Sequence, residues 1–192
     1  MAVARTPGRQ QTNMQLTTIL TTALACASTA SAALNWSLQK ASNPTTDQAD
    51  AYNRIETAMR DAVARYHRHS PNASKTIRVY YAPGVPTAEA SFNGDLRFGT
   101  NRAYMNTRTA MHEISHTLGV GTTNAFNNMC SSGNWPRALP LLRSFDGQGA
   151  VINCGGSHFW PYGLNYDNEW SETNAERHVR MVDAMIQDGI GR

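Results

Sequence analysis

The sequence predicts an α+β domain with a loop-rich C-terminal half. Three observations carry this reading. An apolar stripe at helical spacing runs from Thr46 to His67, and a β-branched run with an Asn-Gly turn follows between Thr76 and Phe98. From Thr122 to Ser157 the chain is rich in Asn, Gly and Ser. At 192 residues there is room for one core but not for two.

The first 32 residues stand apart. Arg5 and Arg9 precede a stretch from Met14 to Ala32 that carries no charge and ends in Ala30-Ser31-Ala32, an A-x-A pattern. That order is the layout of a secretory signal peptide, so residues 1–32 are expected to be removed and 33–192 to form the mature domain. The apolar run is too short and too rich in Thr to serve as an anchor of about 20 apolar residues, so no stable membrane association is expected. The chain has 17 basic and 14 acidic residues; losing Arg5 and Arg9 leaves 15 against 14, a net charge of +1. Such a balance, without clustered Lys and Arg, excludes a nucleic-acid partner. Cys26 leaves with the leader. The remaining pair, Cys130 and Cys154, is expected to form a disulfide in an exported protein, worth roughly 3 kcal/mol.

From Thr46 to His67, Ala49, Tyr52, Ile55, Met59, Ala62, Val63 and Tyr66 recur at three and four and predict an amphipathic helix. Thr76–Tyr81 reads as a strand closed by Pro83-Gly84. Asn93-Gly94 predicts a two-residue hairpin turn between Ala90-Ser91-Phe92 and Asp95–Phe98. A second helix is expected over 107–118, ending at Gly119. The Asn-rich stretch that follows is read as loop, interrupted by a short helix at 137–144 and a short strand at 150–153. A last helix, 172–187, turns Ala175, Val179, Val182, Met185 and Ile186 inward. His67, His69 and His178 read as solvated helix residues.

The chemistry concentrates in His112-Glu113-Ile114-Ser115-His116, an H-E-x-x-H motif. On a helix, residues i and i+4 share a face, so two imidazoles can reach one metal with Glu113 beside them. One catalytic Zn²⁺ suits such a pair, because it takes imidazole nitrogen and leaves a position for water; Glu113 is then the general base.

With this motif the chain resembles the zincin metallopeptidases. The resemblance implies a small twisted sheet with a backing helix above the H-E-x-x-H helix, and the element order from Thr46 to Gly119 is similar to that half of the fold. It implies a zinc peptidase acting on peptide or protein substrates. In the metzincin branch the motif extends to H-E-x-x-H-x-x-G-x-x-H. Here Gly119 matches the pattern, but Thr122 stands where the third histidine would be. A neutral hydroxyl is a poor zinc ligand, so the third ligand must come from elsewhere. His158, within Gly155-Gly156-Ser157-His158-Phe159-Trp160-Pro161, is favoured, as imidazole is the commonest ligand. Glu169 is the alternative that resembles the gluzincin branch, with spacing one residue short, and Asp146 or Asp167 would resemble the aspartate-using branch. Tyr162 or Tyr166, in the aromatic stretch 159–166, could donate to the oxyanion, although packing is the simpler role for those rings.

The sequence is therefore read as a secreted, monomeric zinc peptidase with metal ligands His112, His116 and His158. A secreted glycan- or protein-binding module with a vestigial metal site, and a zinc amidase or deacylase, are the competing readings.

Overall fold

The computed structural model describes residues 1–4 and 33–191. The chain partitions into two units, Met1–Ala30 and Ser31–Arg192. The leader expected over 1–32 lies, but for its first four residues, outside the described residues, and every element below belongs to the second unit. Among the described residues no helix is long and apolar enough to cross a membrane.

The fold is α+β, as the pattern predicts. β1 (Leu34–Gln39) precedes α1 (Thr46–His69), β2 (Lys75–Tyr81), β3 (Ala88–Ala90) and β4 (Asp95–Phe98). α2 (Thr107–Thr117), α3 (Asn124–Ser132) and α4 (Ala138–Asp146) follow, then a hairpin of β5 (Asn153–Gly155) and β6 (His158–Trp160), and finally α5 (Glu172–Asp188). The first four strands form one mixed sheet in the order β1-β2-β4-β3, with β1, β2 and β4 parallel and β3 antiparallel on the edge.

α1 starts where its sequence provides a reciprocal cap. Thr45 Oγ1 accepts from Gln48 N at 3.2 Å and Gln48 Oε1 accepts from Thr45 N at 2.9 Å. Its stripe buries Ile55, Met59, Ala62 and Tyr66 completely. This face covers Ile77 and Val79 of β2 and joins α2, which lies over β3 and β4 with Leu96 and Phe98 beneath. Each such side chain contributes roughly 1.5–3 kcal/mol by leaving water. α5 packs on α1, α2 and α4 and closes the other side of the helical layer. At the end of α1, Tyr66 Oη donates to the Met111 carbonyl at 3.0 Å, pinning the backbone of α2 just before the motif.

Four details differ from the sequence reading. The sequence reading assigned no element before Thr46, yet Leu34, Trp36 and Leu38 alternate with Asn35, Ser37 and Gln39 and pair in register with β2. The β3–β4 connection spans four residues rather than two: Gly94 N donates to Ser91 O at 3.0 Å and Gly94 takes φ +93, so the turn is centred on Phe92-Asn93, one residue before the Asn-Gly pair, and uses the glycine as a left-handed bulge. Part of the expected loop is helical, since Thr123 Oγ1 caps the start of α3 and Gly133 ends it at φ +66. The strand expected at 150–153 begins instead at Asn153, where it can pair with β6.

Candidate metal centre

α2 places His112 and His116 on one face, as the spacing requires. Both are 8% exposed, and their Nε2 atoms lie 3.1 Å apart. The opposite nitrogen of each ring meets a main-chain carbonyl: His112 Nδ1 lies 2.9 Å from Gly163 O and His116 Nδ1 lies 2.8 Å from Val120 O. A carbonyl only accepts, so both Nδ1 atoms carry the proton and both Nε2 atoms present lone pairs. Two lone pairs facing each other at 3.1 Å make no hydrogen bond. A shared cation relieves that contact, and nitrogens bound tetrahedrally to zinc lie about 3.3 Å apart. Burial, the largest cause in each case, holds the pKa of both imidazoles below the usual histidine range, which keeps them neutral.

The third imidazole comes from β6. The His158 ring centroid lies 5.1 Å from that of His112 and 5.4 Å from that of His116, and the candidate ligand atoms of the three residues all lie within 4.8 Å of one another. These three residues are close enough to hold a metal ion. The β5–β6 turn that delivers His158 has both central residues left-handed, Gly156 at φ +54 and Ser157 at φ +69, which matches the twist of a tight hairpin. The turn is held from two sides. The Cys130–Cys154 disulfide, anticipated from the cysteine count, ties β5 to α3. On the other side, Gly121 at φ +65 passes so near Ser157 that a β-carbon there would lie 1.8 Å from the Ser157 carbonyl oxygen.

Glu113 follows His112 on α2 at 6% exposure, and its Oε2 atom is buried with no hydrogen-bond partner among the described residues. Burial, then the charge of Glu89, pushes its pKa up to about 8, with Arg108 pulling the other way. A buried carboxyl without a partner costs stability rather than adding to it.

The other candidate ligands are engaged elsewhere. Thr122 Oγ1 donates to the His116 carbonyl at 2.7 Å and finishes the helix. Glu169 accepts from Trp160 Nε1 at 3.2 Å and Asn165 N at 2.9 Å, closing the 160–169 loop on itself. Asp146 accepts from Tyr162 Oη and Arg177, and Asp167 pairs with Arg108.

The two tyrosines meet other surroundings, and one expectation, a solvated His178, is corrected. The Tyr162 hydroxyl is directed to Asp146 and Arg177, not to the histidines, and Tyr166 is 63% exposed with no side-chain hydrogen bond among the described residues. His178 is not solvated but fully buried, with Nδ1 2.7 Å from Tyr162 O and Nε2 3.0 Å from Tyr66 Oη, and its ring stacks on Phe159. Its position was legible: 178 falls on the same stripe as Ala175, Val179 and Val182. Through these contacts it braces the segment that carries both His158 and the Gly163 carbonyl. That segment holds two non-glycine residues in left-handed conformation, Tyr162 and Leu164, on either side of Gly163. Each costs on the order of 1 kcal/mol, and together they aim the carbonyl that orients His112.

Neither the protein-family models, nor the curated proteins, nor the solved structures contain a match to this chain.

Proposed function

We propose that the protein is a secreted zinc-dependent hydrolase, and that its reaction is cleavage of peptide bonds. The observation that carries the reading is the convergence of three imidazoles, two of them fixed as neutral ε-nitrogen donors, with Glu113 next to His112 on α2 and its buried carboxyl oxygen without a partner among the described residues. Three nitrogen donors with an open fourth position are the donor set of catalytic zinc, which supplies Lewis acidity toward water and toward a substrate carbonyl. His112, His116 and His158 would hold the ion. Glu113 accepts the proton of the attacking water and passes it to the leaving amine. The leader, basic at its start and uncharged from Met14 to Ala32, and the disulfide support export.

The role of Glu113 separates this reading from a binding module, which has no use for an unpaired buried acid. The aromatic stretch 159–166, the feature a ligand-binding module would use, is largely engaged within the fold: Phe159 is buried, Trp160 bonds to Glu169 and Tyr162 to Asp146.

The test is metal analysis of the purified domain, with protein, peptidoglycan and glycan substrates assayed with and without chelator. One zinc per chain and chelator-sensitive proteolysis are expected, and Glu113→Gln should keep the zinc while losing at least about 100-fold in rate. Cleavage of peptidoglycan alone would make it an amidase. Absence of stoichiometric metal would overturn the reading.

A further inference from the structure

A second site lies at the N-terminal end of α2, one turn before His112. Arg108 is 7% exposed at its side chain and forms one wall of a cleft of about 390 Å³, with Asn106, Thr107, Asp167 and Trp170 as the others. One terminal nitrogen, Nη1, donates to the Leu164 carbonyl at 2.9 Å. The other, Nη2, pairs with Asp167 Oδ1 at 2.8 Å. Nε is buried without any partner among the described residues.

The two halves of that guanidinium are used unequally. Nε and Nη2 form the edge that grips a carboxylate through two parallel hydrogen bonds. Asp167 meets only Nη2, and its side chain is 83% exposed. A buried donor left unpaired costs roughly 1–3 kcal/mol, so an anion that reached both nitrogens would bind better than Asp167 does. The helix start adds to this. Asn106 Oδ1 accepts from Thr109 N, while the amides of Thr107 and Arg108 have no acceptor among the described residues. Their partial positive charge favours an anion at the same place.

From this geometry we propose that the cleft is a carboxylate-binding site, in which the carboxylate of a small organic ligand displaces the Asp167 side chain and takes Arg108 through Nε and Nη2 while its apolar body lies against Trp170. Asp167 acts as the internal stand-in that keeps the guanidinium neutralised when no ligand is bound. The cleft is at the small end of the range for ligand sites, large enough for a single acyl-amino acid. It does not depend on the metal, although Leu164, which anchors Arg108, adjoins the Gly163 carbonyl that orients His112.

The probe is N-acetyl-phenylalanine, compared with its uncharged carboxamide, titrated into the whole domain by calorimetry and followed by the side-chain Nε–H resonance of Arg108. The acid should bind and shift that resonance, and the carboxamide should do neither. Removing the competitor with Asp167→Asn should tighten binding of the acid about tenfold and enlarge the rise in Tm that it produces. Arg108→Lys, which keeps the charge but not the fork, should lose it. Equal binding of acid and carboxamide, unchanged or weaker binding in Asp167→Asn, or undiminished binding in a folded Arg108→Lys would each overturn the proposal. If Arg108→Lys does not fold, the exposed Asp167→Asn variant decides alone.

Discussion

Gly121 lies against Ser157 with no room for a side chain: a β-carbon on Gly121 would approach the Ser157 carbonyl to 1.8 Å. This contact sets the exit of the helix bearing His112 and His116 against the turn bearing His158. Gly121→Ala therefore pushes the two apart and also strains a left-handed residue. Zinc affinity should fall about 10- to 100-fold, as for other changes to groups that support a ligand, with helix content retained. Competition with a chromophoric chelator measures it. An unchanged affinity would show that the hairpin does not depend on this contact.

His158 and Glu169 are separable by a pair of variants. His158→Ala should reduce zinc affinity by more than about 100-fold. Glu169→Ala should keep the metal and lower stability by roughly 1–3 kcal/mol, since Trp160 Nε1 and Asn165 N lose their acceptor. Zinc content and thermal melts of the two variants check this, and loss of zinc from the glutamate variant alone would reverse the ligand assignment.

His178 makes stability depend on acidity. Its pKa is pushed down to about 4, chiefly by burial. The folded state thus binds fewer protons than the unfolded chain between about pH 6.5 and 4, and stability contributed by the neutral ring is present above 6.5 and lost as pH falls through 4. The loss amounts to about 3 kcal/mol at most. Denaturant titrations in the presence of chelator should give a shallower pH dependence for His178→Gln than for the wild type across that window. Parallel curves would remove the histidine from the account.

The Cys130–Cys154 bridge should matter to the metal as well as to the fold. A Cys130→Ser, Cys154→Ser double variant is expected to lose roughly 2–4 kcal/mol of stability. Because β5 pairs Gly155 with His158, it should also bind zinc more weakly. A variant that is destabilised but keeps full zinc affinity would confine the bridge to a folding role.

The parts of this fold that could be read from sequence are those whose information is local. The stripe of α1 and the four-residue spacing of His112 and His116 are periodicities of one helix, and they appear where the pattern put them. β1 carries a period-2 alternation but abuts the leader, where the composition changes and the signal is short. α3 is built from Asn and Ser, weak helix formers, and is held by its cap, by Phe126 and by the disulfide. His178 was misjudged by residue type, although its position on the α5 stripe was visible. The approach of His158 depends on Gly121, on a left-handed Ser157 and on a bridge to α3. The long-range contacts among these leave no pattern in the residues around 158, and favouring that histidine rested on ligand chemistry and on its unusual setting of Gly, aromatic and Pro residues.

The three imidazoles differ in what holds them. His112 and His116 share a face through one turn of α2, whereas His158 reaches them through the β5–β6 hairpin, its bridge to α3 and its seat against Gly121. Loosening the hairpin alone would leave two imidazoles where there are three, so metal affinity would report the long-range contacts of the C-terminal half while the helix itself stayed intact.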